Sequence, residues 1–426
     1  MVRFITALLA VSASLSTVWA TTTCSVDSPC PEDSPCCSAY GECGVGAYCL
    51  GGCYPLASYS IDSCTPAPVC VNKTYTWDNL DKAASNEVYL GNATEYDWVY
   101  SGTPLLDNGN LLLTMPNNSV GTLFSNNHYV WYGRISAKLK TSRGAGVVTA
   151  FILMSDVKDE IDLEFVGVDL YHGQTNYYFE GILDYDNEIN ATVSSNTFEN
   201  FHEYTIDWTP DAITWYVDGT AARTLNRSAT FNATSNRYQF PQTPSRVEMS
   251  LWPAGLSTEA EGTIEWAGGL VNWSSTDMEE HGYYYATFGE ITVECYNPPS
   301  GANIQGDKSY VYTSDSAVTN NTVEITDRNT TLNNFDDTGL NMTAGTTAGA
   351  SATASSGDSV PTSNGAGTVP GSSDSGSGTD SSSSSTTGFV QGGTTTDKSG
   401  ATSQNTRIRQ GSLFAVVVAV VALVVI

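Results

Sequence analysis

The chain has 426 residues, a formal net charge of −28 and a pI near 4.2, which excludes nucleic acid as a partner because phosphate binding needs a basic surface. Its length allows a sizeable core and more than one domain. Aromatic residues make up 11% of the chain, enough for a β-sheet core with rings left over to stack on flat ligands such as sugars.

Residues 1–20, MVRFITALLAVSASLSTVWA, carry one basic residue, an apolar run and a small residue at Ala20. This is the pattern of a secretory signal peptide cleaved after Ala20. Nine of the ten cysteines follow between Cys24 and Cys70, and the tenth is Cys295. In a secreted chain these are expected to form disulfides, so residues 24–70 read as a small stapled module. Within it, CPEDSPCCSAYGECG followed by AYC resembles the hevein-type chitin-binding module, on the adjacent Cys36 and Cys37, Ser38, Gly41, Cys43 and Gly44. That resemblance implies the pairs Cys24–Cys37, Cys30–Cys43 and Cys36–Cys49, and a sugar site using Ser38, Tyr40 and Tyr48. Glu42 stands where the family has a further aromatic residue, which weakens the implied site. Cys53, Cys64, Cys70 and Cys295 are left to pair among themselves, one bond tying the N-terminal region to Cys295.

From residue 74 to 297 short apolar or aromatic runs alternate with turn signals. Tyr204, Ile206 and Trp208 alternate with polar residues, Thr209-Pro210-Asp211 turns the chain, Ile213, Trp215 and Val217 alternate again, and Asp218-Gly219 makes a hairpin turn. Long helical patterns are missing, so an all-β sandwich is expected. GVVTAFILM (residues 146–154) reads as a strand, Ser155 to Asp159 as a turn, and DEIDLEFVG as the next strand. Successive side chains of a strand point to opposite faces. Ile161, Leu163 and Phe165 therefore enter the core, and Glu160, Asp162 and Glu164 share the other face.

Three carboxylates on one face repel each other, which favours a chemical role over a plain solvated surface. Calcium ligation lacks EF-hand loop spacing. Glycoside chemistry fits better: retaining glycosidases need a nucleophile and an acid/base about 5–5.5 Å apart. On a straight strand positions i and i+4 are ~13 Å apart at Cα. The two Glu side chains must then lean together across a concave sheet. The four histidines (His128, His172, His202, His281) form no triad or zinc spacing, and no cofactor is implied.

At these residues the chain resembles glycoside hydrolase family 16, whose signature is E-[IL]-D-x-E on a strand of a concanavalin A-like β-jelly roll. QTNYYF (174–179), FPQTP (240–244), SLWPAG (250–255) and GTIEWAGG (262–269) extend the resemblance to the Crh family of fungal cell-wall transglycosylases. It implies Glu160 as nucleophile, Asp162 as assisting residue, Glu164 as general acid/base, Trp252 stacking on a donor sugar and Thr263 contacting the donor chain. The implied reaction cleaves chitin and transfers it to β-glucan or chitin, with no obligate protein partner. A non-catalytic wall lectin or adhesin and a plain β-glucan or chitin hydrolase are the alternatives.

Residues 298–400 are expected to be a Ser/Thr-rich glycosylated stalk, typified by SDSGSGTDSSSSSTTG. Residues 401–426 end in 14 uncharged apolar residues, Leu413 to Ile426, short of the ~20 that span a bilayer. With small residues before them, they read as a GPI-attachment propeptide, with Gly400, Ser399 and Asn405 as candidate attachment residues and Gly400 preferred. Ten N-x-[ST] sequons add N-glycosylation to this picture of a secreted protein held at the plasma membrane and cell wall.

Overall fold

A computed structural model describes residues 22–316 and 318–344. The expected signal peptide, the later part of the expected stalk and the attachment region with Gly400 lie outside the described residues.

The expected sandwich is present as two eight-stranded sheets. One, the backing sheet, has the order Thr220–Asn226, Ala212–Val217, His202–Trp208, Gly133–Lys140, Tyr283–Cys295, Asn110–Pro116 and Thr103–Asp107, with Lys73–Tyr75 added beside Tyr283–Cys295. The other, the cleft sheet, runs Ile189–Thr192, His172–Tyr178, Glu160–Val166, Val147–Ser155, Ser245–Pro253, Thr122–Asn126, Trp98–Ser101 and Ala83–Ser85. Only the last pair, Ala83–Ser85 with Trp98–Ser101, is parallel within it. Hairpin chemistry follows the sequence: Asp218 and Gly219 both take positive φ (48° and 75°), as a two-residue turn requires. The described α-helices are two six-residue segments, Glu261–Trp266 and Thr276–His281.

Between the sheets lies an aromatic core. Phe124, Phe151, Phe165, Tyr204, Trp208 and Trp215 are fully buried in it, together with Ile161 and Leu163. Each such side chain contributes about 1.5–3 kcal/mol by leaving water. The inward set of one sheet is thereby fixed, and the opposite side chains of the same strands must face outward.

The disulfides are Cys24–Cys37, Cys30–Cys43, Cys36–Cys49, Cys53–Cys64 and Cys70–Cys295. The last ties the end of the cysteine-rich module to the end of the strand Tyr283–Cys295. Residues 303–344, expected to be part of the stalk, are folded. Strands Asn303–Ile304, Ser309–Tyr312 and Val323–Thr326 form a small sheet with Ala67–Pro68. The segment that follows returns over the module, where Gly46 N–H donates to the Asp337 carbonyl and Gly339 N–H to that of Ser63, each at 2.8 Å. Tyr310, Val323, Ile325 and Leu332 are buried there, so this stretch has the apolar anchors that the later Ser/Thr tract lacks.

Candidate active site

Cross-strand register shows what shares the outer face of the cleft sheet. Glu160 lies opposite Met154 and Tyr178, Asp162 opposite Ile152 and Asn176, and Glu164 opposite Ala150 and Gln174. One strand further, Arg246 pairs with Met154, Glu248 with Ile152, Ser250 with Ala150 and Trp252 with Val148. The floor beside Glu164 is therefore low, made by Ala150 and Ser250, and it rises to Trp252. The three carboxylates are only 5%, 2% and 7% exposed, in chain order, so they are buried on this face rather than set on a solvated edge.

The turn before this strand is held by its own side chains. Ser155 Oγ accepts from the N–H groups of Val157 and Asp159, and Lys158 adopts φ 66° to close the turn. Asp159 is a latch. Its carboxylate accepts from the N–H groups of Glu180, Gln242 and Thr243, and from the Thr243 hydroxyl at 2.7 Å. The first acid of DEIDLEFVG thus pins the FPQTP loop, and the next three line the cleft. Trp215 Nε1–H, donating to the Asp162 carbonyl from the backing sheet, holds the middle of the strand.

Electrostatics couple the three. Burial first, then the charge of Glu164, pushes Glu160 up to about 8, while a hydrogen bond from Asp162 favours its ionised form. Burial and the charge of Glu160 raise Asp162 well above the usual carboxylate range, the shared hydrogen bond raises it further, and Arg223 opposes the shift. Glu164 is raised strongly by burial and by Asp162. Asp162 is then the proton-holding partner and Glu160 the acceptor. Asp162 Oδ1 has no hydrogen-bond partner among the described residues.

Trp252 stands near this group, and its indole favours a charged Glu164 without a formed hydrogen bond. It is 6% exposed and stacks on Trp266 at 6.1 Å between ring centroids. Trp266 Nε1–H in turn donates to Gln174 Oε1 at 2.6 Å. Thr263 is buried in the helix Glu261–Trp266 that carries Trp266. Trp252 and Thr263 therefore belong to one wall. Ser38, Tyr40 and Tyr48 do not join the carboxylates; they line a cavity of about 160 Å³ a few strands across the sheet, with Arg246 and Glu248 on its floor. Glu42 does not line it.

Gln174, Trp266, Arg246 and Glu248 were not expected from sequence. The last two had a signal: in RVEMSLW, Arg246, Glu248, Ser250 and Trp252 alternate with core residues as Glu160, Asp162 and Glu164 do. Each histidine has a partner outside the carboxylate group. His128 bonds the Val69 carbonyl, His172 Asp169, and His202 Asp218, while His281 lies 4.0 Å from Glu280.

Residues 92–268 match the profile of glycosyl hydrolases family 16, which includes the acidic strand, the low floor and Trp252. Over its full length the chain is 58% identical to Crh-like protein 2 of Aspergillus fumigatus, covering 100% of both chains. It is 44% identical to Congo red hypersensitive protein 2 of Saccharomyces cerevisiae, over 78% of this chain and 71% of that one. Among solved structures, a Crh5 transglycosylase in complex with NAG superimposes with a TM-score of 0.51 at 30% identity, over 64% of this chain and 99% of that one. An acidic strand in a jelly-roll cleft and full-length similarity at this level lead to one assignment: the chain belongs to the Crh-like proteins of glycoside hydrolase family 16.

Proposed function

We propose that this protein is a retaining cell-wall transglycosylase that cleaves chitin and transfers the cleaved chain to β-glucan or to another chitin chain. The observation that carries the reading is the row of three buried carboxylates on one strand, in a chain similar throughout to Crh-like proteins. The solved Crh5 transglycosylase holds N-acetylglucosamine, the unit of chitin, which supports chitin as the donor here.

Glu160 is the nucleophile. Asp162 holds its proton more tightly than Glu160, so Glu160 is the first of the pair to ionise, and its ionised oxygen attacks the anomeric carbon. Glu164, raised by burial, holds the proton that the leaving sugar oxygen takes. A glycosyl ester on Glu160 results. Glu164, now ionised, accepts the proton of an incoming sugar hydroxyl, whose oxygen displaces Glu160 and restores the configuration. Water in place of that hydroxyl would give hydrolysis. Trp252, with Trp266 behind it and Thr263 beside it, is the sugar-stacking wall.

The N-terminal apolar stretch, the Ser/Thr tract and the tail Leu413 to Ile426 support secretion and GPI anchoring at the plasma membrane and wall, with attachment at Gly400. The cysteine-rich module supports chitin binding through Ser38, Tyr40 and Tyr48.

The test incubates the protein with a chitin oligosaccharide donor and a fluorescent β-glucan oligosaccharide acceptor, alongside Glu160→Gln. Labelled products longer than the acceptor, absent in the variant, are expected. Shortened donor without label growth would make the protein a hydrolase.

A further inference from the structure

The cysteine-rich module is seated on the sandwich. Gly52 N–H donates to Asp156 Oδ1 at 2.8 Å, and the Tyr129 hydroxyl donates to the same oxygen at 2.7 Å. Gly51 lies so close to Arg246 that a Cβ there would stand 2.7 Å from its Nη1, so the Gly51-Gly52 pair lets the module backbone settle onto the Arg246–Glu248 ion pair. Lys158, in the turn that leads into the acidic strand, lies over the Tyr54 ring at 4.5 Å.

This seating encloses a cavity between the module and the cleft sheet. Ser38, Tyr40 and Tyr48 form one side of the cavity; Leu123, Ser125 and Glu248 of the cleft sheet form the other. Tyr40 keeps 40% of its surface accessible there, although loss of hydration and the charge of Glu248 push its hydroxyl up to about 12. Tyr48 lies flat against Gly44, where an added Cβ would meet the ring at 2.5 Å, so the ring is held in one orientation. The cavity's floor lies in cross-strand register with the reacting centre. Asp162, Ile152, Glu248 and Ser125 form a single cross-strand row, which spans roughly 14 Å at the usual spacing between strands.

We infer that the module is one wall of the catalytic cleft, so that Ser38, Tyr40 and Tyr48 hold a sugar unit of the same polysaccharide chain that is cleaved over Glu160, Asp162 and Glu164. The inference rests on the polysaccharide reading above. The rings supply apolar faces for a pyranose, and the Ser38 hydroxyl and the floor supply hydrogen bonds. The charged groups on the floor are already paired with each other, which suits an uncharged polymer. The module thereby sets how long a donor must be to bind well.

The test uses the full chain with Glu160→Gln, so that binding is read without turnover. Chitin dimer and hexamer are titrated calorimetrically. One site per protein is expected, with affinity rising from dimer to hexamer. Tyr40→Ala combined with Tyr48→Ala should weaken the hexamer about tenfold, with a much smaller change for the dimer. Tyr48→Phe, which keeps the ring, should behave as the parent. Leu123→Trp, which fills the cleft from the opposite wall, should reproduce the loss without touching the module. Two independent sites, a length dependence that survives both changes, or no oligosaccharide binding at all would each overturn the inference. Turnover of the unaltered protein is scored separately. A protein with one length-dependent site but no transfer or cleavage would sink the enzymatic reading and leave the shared cleft standing.

Discussion

Asp162 and Glu248 sit two strands apart in one cross-strand row, with Ile152 between them. Glu248 is bonded to Arg246 at 2.6 Å and to the Ser125 hydroxyl at 3.1 Å. A single line of side chains therefore joins the reacting carboxylates to the seam under the cysteine-rich module, and the predictions follow the groups along it.

Glu164→Gln removes the proton donor and later acceptor while keeping shape and hydrogen bonding. Rates of donor cleavage should fall by about 10²–10⁴, the range for general acid/base catalysis. Donors with a good leaving group, which need no protonation, should recover much of the first step. Equal losses with both kinds of donor would remove Glu164 from that role.

Stability should also report on the carboxylates. Glu160 is raised to about 8 in the folded protein, above its ordinary value near 4.5. The folded state then binds protons more tightly than the unfolded state. The stabilisation from this group is complete below the unfolded value and is lost as pH rises through about 8. Glu160→Gln should raise the melting temperature at pH 8 by about a few degrees and change it little at pH 4. A variant less stable than the parent at pH 8 would contradict this.

Arg246→Ala would strand a buried carboxylate. The two side chains of the Arg246–Glu248 pair are 9% and 8% exposed, so breaking the pair should cost about 3–5 kcal/mol. Denaturant unfolding measures it. A loss under about 1 kcal/mol, as for surface pairs, would mean that the seam is wet.

The Cys70–Cys295 bond closes a loop across 225 positions, joining the module to the sandwich. Replacing both residues with Ser should lower stability by about 2–4 kcal/mol. Limited proteolysis should then cut first near residue 70. Unchanged melting would show that the seam and the C-terminal segment hold the module without it.

The acidic strand is legible in the sequence because alternation is a local property: Ile161, Leu163 and Phe165 announce the core, and Glu160, Asp162 and Glu164 follow from them. The sandwich is legible for the same reason, through repeated short alternations and turns such as Asp218-Gly219. What joins distant segments is not. Nothing local tells that Asp159 holds the loop at Gln242 and Thr243, or that Gly51 rests on Arg246, because these contacts depend on how separate elements pack. The folded stretch 303–344 reads as stalk by composition because it is rich in Thr, Asn and Asp; its few apolar residues, Tyr310, Val323, Ile325 and Leu332, are buried only by leaning on the rest of the molecule.

That returning segment also decides how the molecule bears load. Its last described backbone bonds to another part of the molecule are those with Ser63 and Gly46 of the module, and Met342 packs beside Leu332 against a cluster of Leu50, Ala84 and Tyr89, where module and sandwich meet. Tension applied to the end of this segment is therefore felt first at the seam between the module and the sheet edge at Ala84. A pull strong enough to peel this strap would loosen the module and the adjoining sheet edge before disturbing the aromatic core between the sheets.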